Sequence, residues 1–486
     1  MNWLKSLEGL LDPDKPKVKA SSQFESAQTY SRRRGTVPGG RPQDLRKDLT
    51  GGSRHQMLKT ARYVGRNFGL SVEQRTMMAT YAIGKGRMPQ SLAVDVAWRD
   101  EAEALFNEKM SRPEITNRFT WRETQDLISN ILDEDGEVFG ITTFDNFGNP
   151  KIQMLETHAF SNITKPDELI FDGIKYTADG RPRTYYLENQ RGGDPIPVRA
   201  SSVIHIFDPV RFSMSRCYPT GQHGLLHAQD ELEMLASEKQ AVKHLQQFSG
   251  VLTSEREKAL EDGDFGFDSE AAEIAAGSLT TDEQKVAEAF GAIIQRLDKG
   301  EELKAFQFDR PNPMFTGFLE LLERDYSGGR LPWEVTRDPS KIGGASVRLV
   351  VSKADRIIQK RGEVIDTRFN NRVWFYVIGD AINKGELRAV KCWNKVTWTS
   401  PRRLTVDAGR EAQANRLDVE TGLKTWADEI SERGGDFDEW LTERTEQARR
   451  ILTASGHPAS EPIPLWMIYK PSGVSLTSQS PEDMTL

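Results

Sequence analysis

Several residue groupings in this 486-residue chain have the spacing that chemistry would need. His223 and His227 stand four apart in a helical stretch, which sets two imidazoles on one face, as a divalent metal requires. No Glu follows His223 and no third ligand suggests itself, so the pair reads as two residues at a helix start. Asp133, Asp135 and Glu137 alternate like the opening of a calcium loop, but that pattern must continue to a twelfth-position Glu. The run reads instead as the turn that ends a helix. Gly84-Lys85-Gly86 lacks the third glycine and the strand-to-helix setting of a dinucleotide site. There is no Gly-x4-Gly-Lys-Ser/Thr, which argues against a P-loop motor. The 7 histidines suggest no triad, and the 2 cysteines, Cys217 and Cys392, cannot build a disulfide framework or a four-cysteine zinc site. These patterns predict no enzyme, no metal and no cofactor, and a reducing compartment.

The composition points the same way. With 37% hydrophobic and 28% charged residues the chain is hydrophilic, yet 22 Phe, 10 Trp and 10 Tyr exclude a wholly disordered protein. Its length predicts two to four domains. No sustained apolar segment follows Met1 and no window approaches a membrane span, so a soluble, intracellular protein is expected. The net charge of −7 excludes a histone-like binder, but it hides a sorting by region. Residues 1–66 hold 14 basic against 6 acidic side chains and are rich in Ser, Gly and Pro, as a solvated arm would be. Residues 251–310 hold 15 acidic against 7 basic, and 407–486 hold 15 against 8. Residues 341–372 reverse the sign, with 8 basic against 3 acidic.

Periodicity supplies the elements. Helices are predicted over Arg54 to Ile83 (broken at Asn67-Phe68-Gly69), Asp95 to Met110 and Trp121 to Leu132. Short strands follow at Val138 to Phe144, Ile152 to Leu155, Ile170 to Tyr176, Thr184 to Leu187 and Val203 to Phe207, a β-rich body. Helix returns at Gly224 to Phe248 and Met314 to Leu322, flanking the acidic stretch, in which Ala292 to Ile294 and Leu303 to Phe308 read as strands. Lys341 to Ala345 reads as an exposed loop. Val347 to Ile378 is the longest helical pattern, with a bend expected at Gly362. A strand at Leu387 to Trp398, helices at Ala408 to Leu423 and Asp436 to Leu452, and a frayed tail complete the chain. The long helices at 224–248 and 347–378 are expected to expose stripes that another subunit covers.

The order of these motifs resembles the portal proteins of tailed bacteriophages, in particular the lambda-type family. The resemblance runs from near Arg46 over roughly nine-tenths of the chain. It is carried by Arg62 to Asn67, Ile83-Gly84-Lys85-Gly86, Asp135-Gly136-Glu137-Val138-Phe139 and Ile174-x4-Asp179-Gly180-Arg181-Pro182. It continues through Val198-x-Ala200-x2-Val203-Ile204-His205-Ile206-Phe207, Arg211, Arg216, Leu297-x2-Gly300-Glu301, Pro311-Asn312-Pro313 and Phe318. Val406-Asp407-x2-Arg410-Glu411-Ala412-x-Ala414, Gly422 to Thr425 and Gly435-Asp436 close it. Cys217 to Gly221 and Lys341 to Ala345 differ from the family's usual wording.

The resemblance implies an α+β, multidomain portal architecture: a β-rich wing, helical stem, α/β clip and helical crown, forming a ring of about twelve subunits. Its parts would be a basic flexible arm at 1–53, wing at 54–222, first stem helix at 223–250, clip at 251–310 and second stem helix at 311–333. The tunnel-loop region would be 334–346, the bent wing helix with its return strand 347–405, the crown 406–455 and the tail 456–486. Lys341, Gly343, Gly344 and Arg348 would face the DNA channel, and Phe265 and Phe267 would anchor partners at the clip. The implied partners are duplex DNA, large terminase, a head–tail adaptor, and major capsid and scaffolding proteins. The implied location is the portal vertex of the virion, after assembly in the host cytoplasm. Acidic walls with few basic contacts suit a conduit, since each neutralised phosphate adds affinity that would stall passage. The competing readings are a head enzyme (a packaging nuclease or fused protease) and a plain capsid or adaptor subunit. The first needs clustered carboxylates or a nucleophile; the second would lack the helix–acidic insert–helix order.

Overall fold

A computed structural model describes residues 44–247, 251–254, 301–304, 313–343, 346–404, 408–433, 435, 437–458 and 462–468. The chain divides into two units, one of residues up to Leu226 and from Tyr326 onward, the other His227–Asp325.

In the first unit the described residues begin with α1 (Leu45–Asp48), α2 (Gly51–Asn67) and α3 (Gly69–Ile83). Leu45 and Leu49, which composition assigns to the arm, are buried with Met57 and Met214, so folded structure begins before residue 53. Thr50 caps α2 by accepting the Ser53 amide, and Phe68 separates α2 from α3 with extended backbone. Next come β1 (Pro89–Ser91), α4 (Val96–Lys109) and α5 (Trp121–Glu134). Thr120 and Glu123 form a capping box that fixes the start of α5.

The β-rich body holds β2 (Glu137–Phe144), β3 (Pro150–Glu156), β4 (Ile170–Phe171), β5 (Ile174–Tyr176), β6 (Pro182–Leu187), β7 (Ile196–Arg199) and β8 (Val203–Phe207). They make two antiparallel sheets, ordered β3-β2-β8 and β4-β5-β6-β7. Ile170 to Tyr176, expected as one strand, is a hairpin. Asp172 and Gly173 both have positive φ, and an Asp-Gly pair between apolar residues is a strong tight-turn signal. β7 was not anticipated, because Ile196-Pro197-Val198-Arg199 is an exposed edge carrying a proline.

After α8 (Trp333–Thr336) come α9 (Ser346–Ile365), a π-helical turn at Asp366–Asn370 and α10 (Asn371–Lys384). The irregularity in this long helix is therefore the π turn, not Gly362. Leu387 to Trp398 is mostly turns, and only β11 (Val396–Trp398) is extended, paired with β1. The carbonyls of Arg388 and Trp393 accept the indole N–H groups of Trp98 (2.9 Å) and Trp374 (3.1 Å), and Cys392 has φ 64°, so the segment folds back rather than running straight. The main core gathers Trp98, Trp121, Trp374 and Trp398 around Phe106 and Phe369. The other two indoles are also satisfied, Trp121 by Arg87 O (2.9 Å) and Trp398 by Asn371 Oδ1 (2.8 Å).

Three helices follow: α11 (Ala408–Glu420), α12 (Trp426–Glu432) and α13 (Phe437–Ala454). Trp426 stacks on Trp440, and Glu429 accepts from Lys424 (2.6 Å), Arg433 (2.8 Å) and Asn415 (3.3 Å). A further short helix, α14 (Leu465–Ile468), lies in the expected tail.

The chain leaves the first unit within α6 (Leu225–Gln247) and returns along α7 (Pro313–Tyr326). Of the segment between, the described part is an antiparallel pair, β9 (Val251–Ser254) and β10 (Glu301–Lys304). The expected strand at Ala292 to Ile294 and the remainder of Leu303 to Phe308 lie outside the described residues. Among the described side chains, the exposed apolar stripe falls on α7 rather than α6: Met314, Phe318 and Leu321 stand at i, i+4 and i+7 with 80%, 48% and 61% exposure. On α9 the corresponding exposed residue is Leu349. No described helix is long and apolar enough to cross a membrane.

Candidate functional site: a buried charge node and an exposed basic loop

The sequence motifs that seemed separate turns converge on one buried cluster. Glu137 opens β2 with no exposed surface. Its Oε1 accepts Arg216 Nε at 2.7 Å, and its Oε2 accepts the Cys217 amide at 2.9 Å. His205 Nε2 lies 3.0 Å from the same Oε2; a carboxylate can only accept, so Nε2 carries the proton. That leaves Nδ1 as the acceptor facing the Tyr185 hydroxyl, 3.4 Å away.

Arg54, from α2, approaches from the other side. Its Nε donates to Asp172 Oδ2 at 2.7 Å, its Nη2 donates to Asn162, and its Nη1 lies 3.9 Å from Glu137. Arg216 also donates to the carbonyls of Asp172 (3.0 Å) and Thr157 (3.2 Å) and lies over the Phe139 ring. Two guanidiniums thus face two carboxylates, and every carboxylate oxygen has at least one donor. Burial alone pushes the Glu137 carboxyl up, but Arg216, His205 and Arg54 outweigh it and hold the group at about 2. Burial likewise lowers His205, which stays neutral against the Glu137 pull, and raises the Cys217 thiol well above its ordinary range.

The neighbouring carboxylates are committed too. Asp135 takes Arg62 in a two-pronged pair (2.9 and 2.6 Å), and Asp133 takes Arg361 at 2.6 Å. The Asp133–Asp135–Glu137 alternation therefore serves three sets of arginines at the α5-to-β2 turn. His227 pairs with Asp325 at 3.2 Å. Among the described residues, no group of three His, Cys, Asp or Glu could hold a metal ion.

In the sequence Arg62, Glu137, His205 and Arg216 show no joint role, Arg54 stands only as a helix start, and nothing local marks Asp172 as its partner. One signal was available: Glu137 directly precedes the apolar run Val138-Phe139-Gly140-Ile141 and His205 lies inside Val203-Ile204-His205-Ile206-Phe207, where only a paired side chain can be buried.

The residues expected at the channel lie elsewhere. Lys341 ends a short 3-10 turn, Pro339–Lys341, held by Asp338, which accepts the Ser340 amide at 3.0 Å and its hydroxyl at 2.5 Å. Lys341, Gly343 and Arg348 are all exposed, Arg348 in the first turn of α9. A Cβ added at Gly343 would meet nothing within 4 Å, so packing does not require glycine there. Gly344 and Ala345 of the same loop, and Phe265 and Phe267 of the acidic segment, lie outside the described residues.

This is a mixed helix and sheet protein in which a helix-bounded second unit interrupts the first. Residues 38–361 match the family described as phage portal protein, lambda family, and the chain belongs to that family. It is also similar to three solved structures. The neck of an empty gene transfer agent particle, computed with C6 symmetry, is 11% identical with a TM-score of 0.48, covering 77% of this chain and 92% of that one. The neck of a native particle, computed with C12 symmetry, is 11% identical with a TM-score of 0.45 and the same coverage. An HK97-family phage portal protein from Corynebacterium diphtheriae is 10% identical with a TM-score of 0.35, covering 68% of this chain and 92% of that one.

Proposed function

We propose that this phage portal protein closes into a ring of about twelve copies and serves as the conduit for duplex DNA during packaging and ejection, with no catalysis of its own. The exposed Phe318 and Leu321 on α7 carry the reading: large apolar side chains on one helix face suit a neighbouring subunit that covers them. In this reading α6 and α7 are the stem, and 251–310 is the clip, where Phe265 and Phe267 anchor large terminase and later the head–tail adaptor. The β-rich body with α9 and α10 is the wing, α11 to α13 are the crown, and capsid and scaffolding proteins surround the ring. The buried charge node then acts as a structural lock that keeps the wing rigid while DNA passes.

Lys341, Gly343 and Gly344 of the loop, with Arg348 in the first turn of α9, form the surface that meets DNA. The exposure of Lys341 and Arg348 supports this, as does the open space around Gly343. Each cation would touch phosphates briefly, in contacts screened by salt. Lys341→Glu, or Pro in place of both Gly343 and Gly344, is expected to leave ring assembly intact and to lower nuclease-protected DNA per particle several-fold. Assembly is read by electron microscopy on the same preparations. Normal DNA content in all variants would remove the loop from the mechanism, and loss of the ring would make it a structural element instead.

A further inference from the structure

The helix from Ser346 to Lys384 belongs to two different cores, and the π turn at Asp366–Asn370 is where it changes from one to the other. Beyond the turn, Val373, Trp374, Val377, Ile378 and Ala381 of α10 are wholly buried in the aromatic main core. Before it, Ala354 and Ile358 of α9 are buried in a separate small cluster with Met78, Ala82 and Leu331, and only its last turn, through Val364 and Ile365, reaches the main core. Between those two apolar contacts α9 is also tied by polar ones: Arg361 to Asp133 (2.6 Å) and to Ser129 O (2.8 Å), and Lys360 to Asp208 (2.5 Å). A cleft of about 370 Å³ runs beside α9, lined by Tyr81, Arg87, Asp355, Gln359, Glu363 and Leu404, so the helix has room on that side.

The turn itself is held by a polar clasp. Arg87 is buried and grips Asp366 with both arms of its guanidinium, at 2.7 and 2.5 Å. Asn370 donates to the same carboxylate at 2.8 Å, and Gln125 joins Asn370 Oδ1 (3.0 Å) to the Arg87 carbonyl (3.2 Å). A Cβ at Gly362 would come within 2.8 Å of Arg87 Nη1, so glycine at this position makes room for the clasp rather than bending the helix. A π turn breaks the regular i→i+4 ladder and is a common site of helix articulation.

We propose that the π turn is a hinge, clasped by Arg87 and Asp366, about which α9 swings as a lever on an α10 fixed in the main core. The exposed loop at 341–343 precedes α9, so motion of the lever moves that loop. The hinge stands apart from the proposal about DNA, because it concerns how α9 is anchored and not what touches the loop. Apolar packing holds α10 throughout, whereas α9 is released by breaking a few ion pairs and one small apolar cluster, and local openings of that kind cost less than global unfolding.

Hydrogen exchange on the full-length protein, without DNA, tests this. Amides of 349–361 are expected to exchange at least about 10-fold faster than those of 373–383, with the break inside the π turn. Asp366→Asn keeps the side-chain shape and removes the charge that Arg87 grips. It is expected to speed exchange in 349–361 by a further factor of about five and to leave 373–383 within about twofold. Gly362→Ala, which displaces Arg87, is expected to act in the same direction. A single exchange rate across both segments would overturn the hinge. So would an Asp366→Asn variant that leaves α9 unchanged or accelerates both segments alike.

Discussion

Glu137→Ala is expected to destabilise the first unit by about 3–5 kcal/mol, the cost typical of removing one partner from a fully buried ion pair. The reason is the geometry around it. Arg216, already fixed by two carbonyls, and Arg54 would keep their positive charges in a site with no solvent, balanced by Asp172 alone. The Cys217 amide and His205 Nε2 would lose their acceptor as well. Glu137→Gln, which keeps the volume and some of the hydrogen bonds, should fall between wild type and Ala. Denaturant midpoints followed by tryptophan fluorescence read the loss, since four indoles lie in the main core of the same unit. A midpoint unchanged by Glu137→Ala would mean that the node does not hold the sheets and helix together.

The node also sets a pH dependence whose direction follows from the two shifted groups. Glu137 sits at about 2 in the folded protein, below its ordinary value, so its contribution is complete above pH about 4.5 and is lost as pH falls toward 2. His205 is lowered as well, because burial disfavours its charged form. The unfolded chain therefore takes up a proton that the folded protein refuses, and stability begins to decline below pH about 6.5. Stability, read as the denaturant midpoint against pH, should thus decline from about pH 6.5 downward and more steeply below 4.5, and His205→Gln should remove the upper part of the fall.

The second large effect is expected one residue earlier. Gly136 has φ 84°, and a Cβ there would stand 2.0 Å from the Tyr218 carbonyl oxygen. Gly136→Ala therefore combines left-handed backbone strain of about 1–2 kcal/mol with a forced backbone shift of about 1–3 kcal/mol. The neighbours on both sides are ion-paired, Asp135 to Arg62 and Glu137 to Arg216, so a local shift would disturb both pairs. The expected outcome is a loss of about 2–5 kcal/mol in the same unfolding assay and a marked fall in soluble yield. A variant as stable as wild type would show that the turn can relax away from Tyr218.

Much of this arrangement was legible in the sequence. Helices with a clear apolar period, such as α4 and α5, and strands with strong β-formers, such as β2 and β8, lie close to the bounds that their patterns predict. The misses have physical causes. The Ile170 to Tyr176 hairpin was hidden by its apolar flanks, although Asp172-Gly173 marks the turn. The bend assigned to Gly362 came from helix propensity alone, whereas that glycine admits Arg87, a residue 275 positions away that no local pattern can reveal. Leu387 to Trp398 has strand-like composition but gives two of its carbonyls to buried indoles. The charge node was legible in its parts only: Glu137, His205 and Arg216 were visible, but their convergence depends on the pairing of β2 with β8 and on the loop that precedes α6.

Negative-stain electron microscopy of the purified full-length protein, at micromolar concentration and moderate salt, tests the proposed role most directly. Closed rings with an open centre are predicted, since the α7 stripe needs a neighbour and a repeated head-to-tail contact must close. A population that remains monomeric, or that assembles into shells without a central opening, would contradict it.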